Sequence, residues 1–471
     1  MGRGSRAPGH WRGGGAVLEP PRMSSHESWG HFPKVAAGDQ GEVTLRWLPS
    51  RLPEPPHGER LLAHGLGRSY GDSCLNPGGS LLLTSGLDRF MAFDPATGLL
   101  SCEAGVTLDA ILRLVVPQGW FLPVTPGTKY VTIGGAIAND VHGKNHHGAG
   151  TFGRHVRQLS LLRSDGRVHV CSPHRESELF AATVAGLGLT GLILSAELKL
   201  QRIQSQDVIQ ETVPFEDLDG FFAINRESVE SWPFTVAWVD CVARGRRLGR
   251  GLYYRGRPAP PSMAPTRPAR SHLTHAPLAR VPFRLPSFSL NRLTVGAFNA
   301  LYRWSNLRKP SPSRVHYDGY FYPLDGVLHW NRIYGSGGFL QFQCVVPHSD
   351  GGAVMRDLLG RIARSGQASF LTVLKTFGAL QSPGLLSFPR PGVTLALDLR
   401  HRGASTLALF AELEGVVREA GGALYPAKDA CMTPESFRAA YPALPRFEKH
   451  LDPAFSSAFW RRMTGAAPAL P

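Results

Sequence analysis

Two glycine-rich stretches have residue types and spacings that suit chemistry. The first, Pro126 to Asn145, reads PGTKYVTIGGAIANDVHGKN. It has a Gly turn, then Thr132 and Ile133, then the pair Gly134-Gly135, then His142-Gly143-Lys144-Asn145. Glycines let backbone N–H groups approach an anion with no Cβ in the way. Successive N–H groups in such turns make an anion nest, which suits a diphosphate. The same glycines also suit a plain surface loop. Imidazole titrates near neutral pH, so His142 could accept or hold a hydroxyl proton. It could equally serve only to order its loop.

The second stretch, His64-Gly65-Leu66-Gly67-Arg68-Ser69-Tyr70-Gly71-Asp72, follows the strand-like Arg60 to Ala63. Two anion-friendly loops about sixty residues apart suggest a long cofactor gripped at two places. Neither loop reads G-x-G-x-x-G, so a Rossmann site is not expected. Far downstream, Gln341 and Gln343 alternate within a strand candidate and point to one face. Two amides on one face suit sugar hydroxyls, but a solvent-facing strand edge would show the same alternation.

These residues need elements to hold them. Thr107 to Val116 reads as a helix, with Leu108, Ile111, Leu112 and Val115 on one face and Thr107 as its cap. Strand patterns occur at 42–47, 81–84 and 99–103, a hairpin at 156–162 and 168–171, a helix at 176–185 and a strand at 191–200. Beyond about residue 205 come strand candidates at 208–213, 235–241, 339–346, 369–376 and 393–399, and helix candidates at 350–365 and 405–420. That order predicts an α+β chain whose second half is an antiparallel sheet backed by helices. The segment 256–315 is Pro/Arg-rich and reads as a loop or disordered insertion, with a helix over Asn291 to Trp304 inside it.

A chain of 471 residues with 42% hydrophobic content fits two globular domains. No apolar run is long enough to span a bilayer. Residues 1–15 lack the apolar segment of a Sec signal peptide, and the stretch 1–27 reads as a disordered basic tail. The expected location is cytoplasmic or peripheral at a membrane. Six scattered cysteines have no metal-ligand spacing, so no metal is expected. The net charge is +15, and Cys241 to Tyr317 holds fourteen Arg, one Lys and no acid. One segment thus carries the whole surplus, which points to an anionic partner.

The runs GLGRSYGD (65–72), PGT (126–128), TIGGAIAND (132–140), HGKNHH (142–147), FGRHVR (152–157) and GLGLTG (186–191) resemble the PCMH-type FAD-binding domain of the vanillyl-alcohol-oxidase superfamily. Within it they look like the decaprenylphosphoryl-β-D-ribose oxidase family. The likeness continues through PLDG (323–326), HWNRIYG (329–335), GFLQFQ (338–343), LSFPRPG (386–392) and YPAKD (425–429). It implies a two-domain organisation: an FAD-binding domain over 28–204, a substrate domain over 205–420, and a segment 421–471 returning to the flavin site.

The resemblance also implies the site. Ala63 to Ser73, Gly127, Thr128, Thr132 to Gly135, His142 to Asn145, Ile193 and Tyr425 match the family's FAD contacts. Some relatives bind flavin covalently through a His in the first loop. Arg68 stands there in this chain, which implies non-covalent FAD. Lys428 matches the active-site lysine, able to stabilise negative charge on reduced flavin or hold the reacting hydroxyl. His142 is its expected catalytic companion. Tyr70, Lys144, Phe321, Trp330, Asn331, Gln341, Gln343 and Lys375 match substrate-pocket positions. Ala396 replaces a family Cys and Phe321 a family Tyr, so pocket shape is expected to differ.

The implied activity is FAD-dependent oxidation of a CH–OH group. Its substrate would be polyprenyl-phosphoryl-β-D-ribose, oxidised at the 2′ carbon as the first step toward an arabinose donor for cell-envelope polysaccharide. The implied partners are the lipid-linked sugar, a separate NAD(P)H-dependent keto-sugar reductase and a quinone-type acceptor. Peripheral membrane contact would explain the basic segment, since each cation near an anionic leaflet contributes about 1 kcal/mol. One rival is an oxidase of free sugars, alditols or lactones. A more distant one is a nucleic-acid-binding protein using residues 241–317, against which no recognised module appears.

Overall fold

The computed structural model describes residues 26–261, 279–286 and 289–466. The expected tail up to residue 25 and the expected disorder over 262–278 and 287–288 lie outside them. The first part of the chain builds two sheets. Gln40–Thr44, Gly79–Leu83 and Leu61–His64 form a small parallel sheet with Gly79–Leu83 in the middle. Phe90–Asp94, Leu99–Glu103, Leu192–Lys199, Val156–Leu162 and Val168–Cys171 form a five-stranded antiparallel sheet in that order.

The helix Leu108–Val115 packs under this region as its spacing predicts. Leu108, Ile111, Leu112 and Val115 are all fully buried. The Thr107 hydroxyl accepts from the Ala110 N–H at 3.1 Å, satisfying one of the first-turn donors.

The second part is an eight-stranded sheet. Its centre runs Gly251–Pro258, Phe234–Val239, Thr372–Phe377, Gly392–Arg400, Phe339–Val346. Period-2 alternation gives it two different faces. Leu340, Phe342, Cys344, Leu374, Leu395 and Leu397 point into a core with Leu358, Ile362 and Leu413 from the helices Gly351–Arg364 and Ala404–Glu419. Each such Leu or Phe contributes roughly 1.5–3 kcal/mol by leaving water. Gln341, Gln343, Val373, Lys375, Thr394 and Ala396 point the other way, into a cavity. The strand Phe339–Val346 is buried throughout, so the two glutamines do not mark a solvent-facing edge.

The reading of 256–315 as loop needs correction. The strand Gly251–Pro258 runs into it and lies inside the large sheet, between Asp207–Phe215 and Phe234–Val239. Ser313–His316 adds a further strand at the sheet edge. The helix expected there is present as Arg292–Leu307, capped by Asn291 with a reciprocal bond from Thr294.

The end of the chain returns to its beginning. Ala423–Leu424 joins the large sheet beside Phe339–Val346. Residues 454–456 then zip onto the small sheet: Leu61 N–H donates to Ala454 O at 2.7 Å and Ser456 N–H to Leu61 O at 2.9 Å.

Candidate active site

A cavity of about 830 Å³ lies between the glycine loops of the first part of the chain and one face of the eight-stranded sheet. The glycine loop His64 to Asp72 follows the strand Leu61–His64 and forms one wall. Tyr70 N–H donates to Ala427 O at 3.0 Å, and Trp29 N–H to Ser69 O at 2.8 Å. Among the described residues, the N–H groups of Leu66, Gly67, Arg68 and Ser69 have no acceptor. Gly65 has no room for a side chain, since a Cβ there would lie 2.4 Å from Thr132 Oγ1. Thr132 itself caps the short helix Ile133–Ala138 by accepting from Gly135 N–H at 3.2 Å.

Arg68 lies across this wall. Its Nε donates to Tyr130 O at 3.1 Å and its guanidinium sits 4.3 Å over the Trp29 ring. Its Nη1 is buried with no hydrogen-bond partner, as are Ser73 Oγ and His142 Nδ1. Burial lowers the guanidinium's pKa to about 10, partly offset by Asp325. Four adjacent unused N–H donors, a cation and a close glycine approach fit a diphosphate-bearing cofactor. Ala63, His64, Gly127, Thr128, Gly134, Ile193 and Tyr425 line the same cavity.

The loop that ends in His142 to Asn145 is set by Asp140, which holds φ +41°. Its carboxylate accepts from Gly153 N–H at 2.8 Å and from the Ser382 and Ser387 hydroxyls at 2.5 and 2.6 Å. That fixes the following His142 among Phe377, Phe388 and Tyr425. Gln343 Nε2 donates to His142 Nε2 at 3.2 Å, which leaves the ring proton on Nδ1. Burial first, then Lys375, His146 and Lys428, holds the imidazole well below its usual pKa. His142 is therefore a neutral ring and a poor base near neutral pH.

Three half-buried lysines converge on the cavity. Lys144 donates to Tyr320 O and lies 4.3 Å over the Tyr320 ring. Lys375 donates to Gly143 O at 3.0 Å. Burial lowers both to about 7, with Lys144 adding repulsion at Lys375. Lys428 lies 3.6 Å over the Tyr70 ring. Burial lowers its pKa too, and Asp398 partly opposes this. Asp398 is fully buried, and burial raises its pKa. It accepts from Gln341 Nε2 at 2.5 Å, and its other oxygen has no hydrogen-bond partner.

The cavity thus brings together Tyr70, His142, Lys144, Phe321, Trp330, Gln341, Gln343, Lys375 and Lys428. Gly71, Asp72, Ile133, Asn145 and Asn331, expected at the site, do not line it. Gly71 packs on the chain after Lys428, where a Cβ would meet Asp429 O at 1.6 Å. Asp72 forms a two-pronged ion pair with Arg462, both bonds 2.8 Å. Ile133 is core. Asn145 donates to Pro123 O at 2.7 Å, and Asn331 to His31 Nε2 at 3.0 Å. Sequence reasoning missed Asp398 and Trp29. A single carboxylate in the apolar run Val393 to Leu399 was the available signal for the former.

Gly65→Ala is expected to weaken retention of the cofactor by about tenfold or more, because overpacking of this kind costs roughly 1–3 kcal/mol. The flavin-to-protein absorbance ratio after dialysis measures it. A ratio equal to wild type would show that the loop does not grip the cofactor.

Residues 56–172 match the protein family described as FAD binding domain. The chain is 38% identical over 440 residues to decaprenylphosphoryl-beta-D-ribose oxidase of Mycolicibacterium smegmatis, covering 91% of this chain and 94% of that one. It is 37% identical over 370 residues to an uncharacterised Streptomyces coelicolor protein, spanning all of that protein and 76% of this one. A more distant likeness, 26% over 223 residues, is to cytokinin dehydrogenase 3 of Oryza sativa subsp. japonica, covering 45% of this chain and 40% of that one. The identity over nearly full length, joined to a cavity walled by unused loop donors, makes this chain an FAD-dependent oxidoreductase that belongs to the decaprenylphosphoryl-β-D-ribose oxidase family.

Proposed function

We propose that the protein oxidises a polyprenyl-phosphoryl-β-D-ribose at its 2′ hydroxyl, giving the 2′-keto sugar. The observation that carries this reading is the polar wall of the cavity, where Gln341, Gln343, Lys375 and Lys428 meet over Tyr70 and His142. The name of the M. smegmatis relative supports the same substrate class.

FAD, when bound, supplies the acceptor for the hydride leaving the sugar carbon. The chain supplies the rest. Lys428, kept partly neutral by burial, takes the hydroxyl proton at Nζ. The resulting ammonium is stabilised by Asp398 behind it and by the Tyr70 face below it. His142 carries its proton at Nδ1, so it orders the pocket and is not the base. Gln341 is held by Asp398 and Gln343 by His142, which fixes two amides for sugar hydroxyls.

Burial lowers Lys144 and Lys375 to about 7, and a phosphodiester placed between them would favour their charged forms. Ala396, level with Gln343 and Val373, leaves room in the wall with its single methyl group. With Arg68 bonded to Tyr130 O at the position of the covalent link in some relatives, the cofactor is held non-covalently. A quinone-type acceptor closes the redox cycle. A separate NAD(P)H-dependent reductase consumes the keto sugar on the way to an arabinose donor for cell-envelope polysaccharide.

Anaerobic mixing with polyprenyl-phosphoryl-β-D-ribose tests this. Loss of the flavin absorbance band is expected with that compound and not with free ribose or xylitol. Bleaching by the free sugars alone would replace this reading with that of a soluble-polyol oxidase.

A further inference from the structure

The helix Arg292–Leu307 has two unlike faces. Its inner face closes over the cavity. Thr294, Val295, Phe298 and Tyr302 line it, Asn299 donates to Asp240 at 2.8 Å beneath, and Tyr302 packs 4.8 Å from Trp238. Its outer face is apolar yet open to solvent. Leu293 is 84% exposed, Leu301 61%, Trp304 51% and Leu307 42%. Exposed Ala297 and Ala300 fill the gaps, so the stripe follows helical spacing for the whole length. Phe283, 62% exposed, lies in the segment leading into the helix.

Cations frame this stripe. Arg280 and Arg284 are exposed before it, and Arg308 and Lys309 after it, with Arg308 lying 3.8 Å over the Trp304 ring. No Asp or Glu occurs between Cys241 and Tyr317. A helix of 16 residues is about 24 Å long. No described helix is long and apolar enough to cross a membrane. An amphipathic helix with apolar residues outward and cations at its margins suits lying in a headgroup layer of opposite charge.

We infer that the outer face of Arg292–Leu307, with Phe283, docks on an anionic lipid bilayer and sets the roof of the cavity against the leaflet. This rests on the proposed lipid-linked substrate only for its purpose. A substrate whose prenyl chain stays in the leaflet could then present its phosphate and sugar beneath the helix, without the whole lipid leaving the membrane.

Sedimentation of the full-length holoprotein with vesicles tests this. Binding is expected with vesicles of phosphatidylcholine and phosphatidylglycerol, weaker with phosphatidylcholine alone, and released by raised salt. The double variant Leu293→Asp/Leu301→Asp is expected to bind at least about tenfold more weakly, since each buried Leu accounts for that order of affinity. It should keep its flavin and its turnover of a short-chain, water-soluble phosphoryl-ribose. Failure of the wild type to bind, equal binding to neutral vesicles, or unchanged binding by the variant would overturn the inference. So would retention on nucleic acid without vesicle binding. Turnover of the short-chain compound without vesicle binding would remove this inference alone. Vesicle binding without turnover would remove the proposed substrate instead.

Discussion

Lys428→Met lowers substrate-driven flavin reduction by about a thousandfold while the protein stays yellow, the size expected for loss of a positioned general base. Methionine keeps the stem over Tyr70 and removes only the group that takes the proton. A positioned lysine is effective when its pKa lies near the working pH, and burial supplies that shift here. The sign follows from the role. The neutral amine is the active form, so the rate rises with pH through a midpoint below the ordinary lysine value. Asp398 favours the ammonium, so Asp398→Asn lowers that midpoint further and moves the rising limb to lower pH. Stopped-flow reduction rates across pH, for wild type and both variants, measure this. A rate that falls with pH, or a Lys428→Met protein as fast as wild type, would remove the lysine from proton transfer.

Arg462→Met should cost about 3–5 kcal/mol of stability, the usual penalty for leaving buried charge without its partner. Arg462 is itself buried and bridges two buried carboxylates. It holds Asp72 through two bonds of 2.8 Å and Asp429 through one of 2.9 Å, and also donates to Met432 O. Without it, Asp72 and Asp429 face each other in a site that burial already makes unfavourable for charge. Because Asp429 directly follows Lys428, turnover should fall along with the melting temperature. Urea unfolding followed by flavin release reports the loss. Adding Asp72→Asn to the variant should recover part of it, since that removes one unpaired charge. A variant as stable as wild type would mean the ion pairs contribute nothing net.

The legible parts of this molecule were those written in local pattern. The strand Phe339–Val346 and the helix Leu108–Val115 came out of period 2 and period 3.6 because each has one apolar side. The glycine loops were legible in part because a side chain has no room at two of their positions: a Cβ at Gly65 would meet Thr132 Oγ1 at 2.4 Å and one at Gly71 would meet Asp429 O at 1.6 Å. The strand Gly251–Pro258 was not. Leu252 and Tyr253 are both fully buried, and Arg255 is compatible with a strand only because Glu211 on the next strand pairs with it. Its alternation is broken by neighbours that the local sequence does not reveal. Asp72 failed for the same reason at longer range: it sits in a cofactor-loop motif, yet its partner is Arg462. Asp398 was hidden because what it meets, Gln341 on the neighbouring strand and the charge of Lys428, lies far from it in sequence.

The seam between residues 454–456 and Leu61 bears on how the polypeptide is made. Ala454 and Ser456 leave the ribosome almost four hundred residues after Leu61, with which they pair. The small parallel sheet therefore waits, one border unpaired, while that whole stretch is made, and this strand contact forms only once residues 454–456 have emerged. A ribosome stalled anywhere before that point carries a cofactor cradle still open at its border.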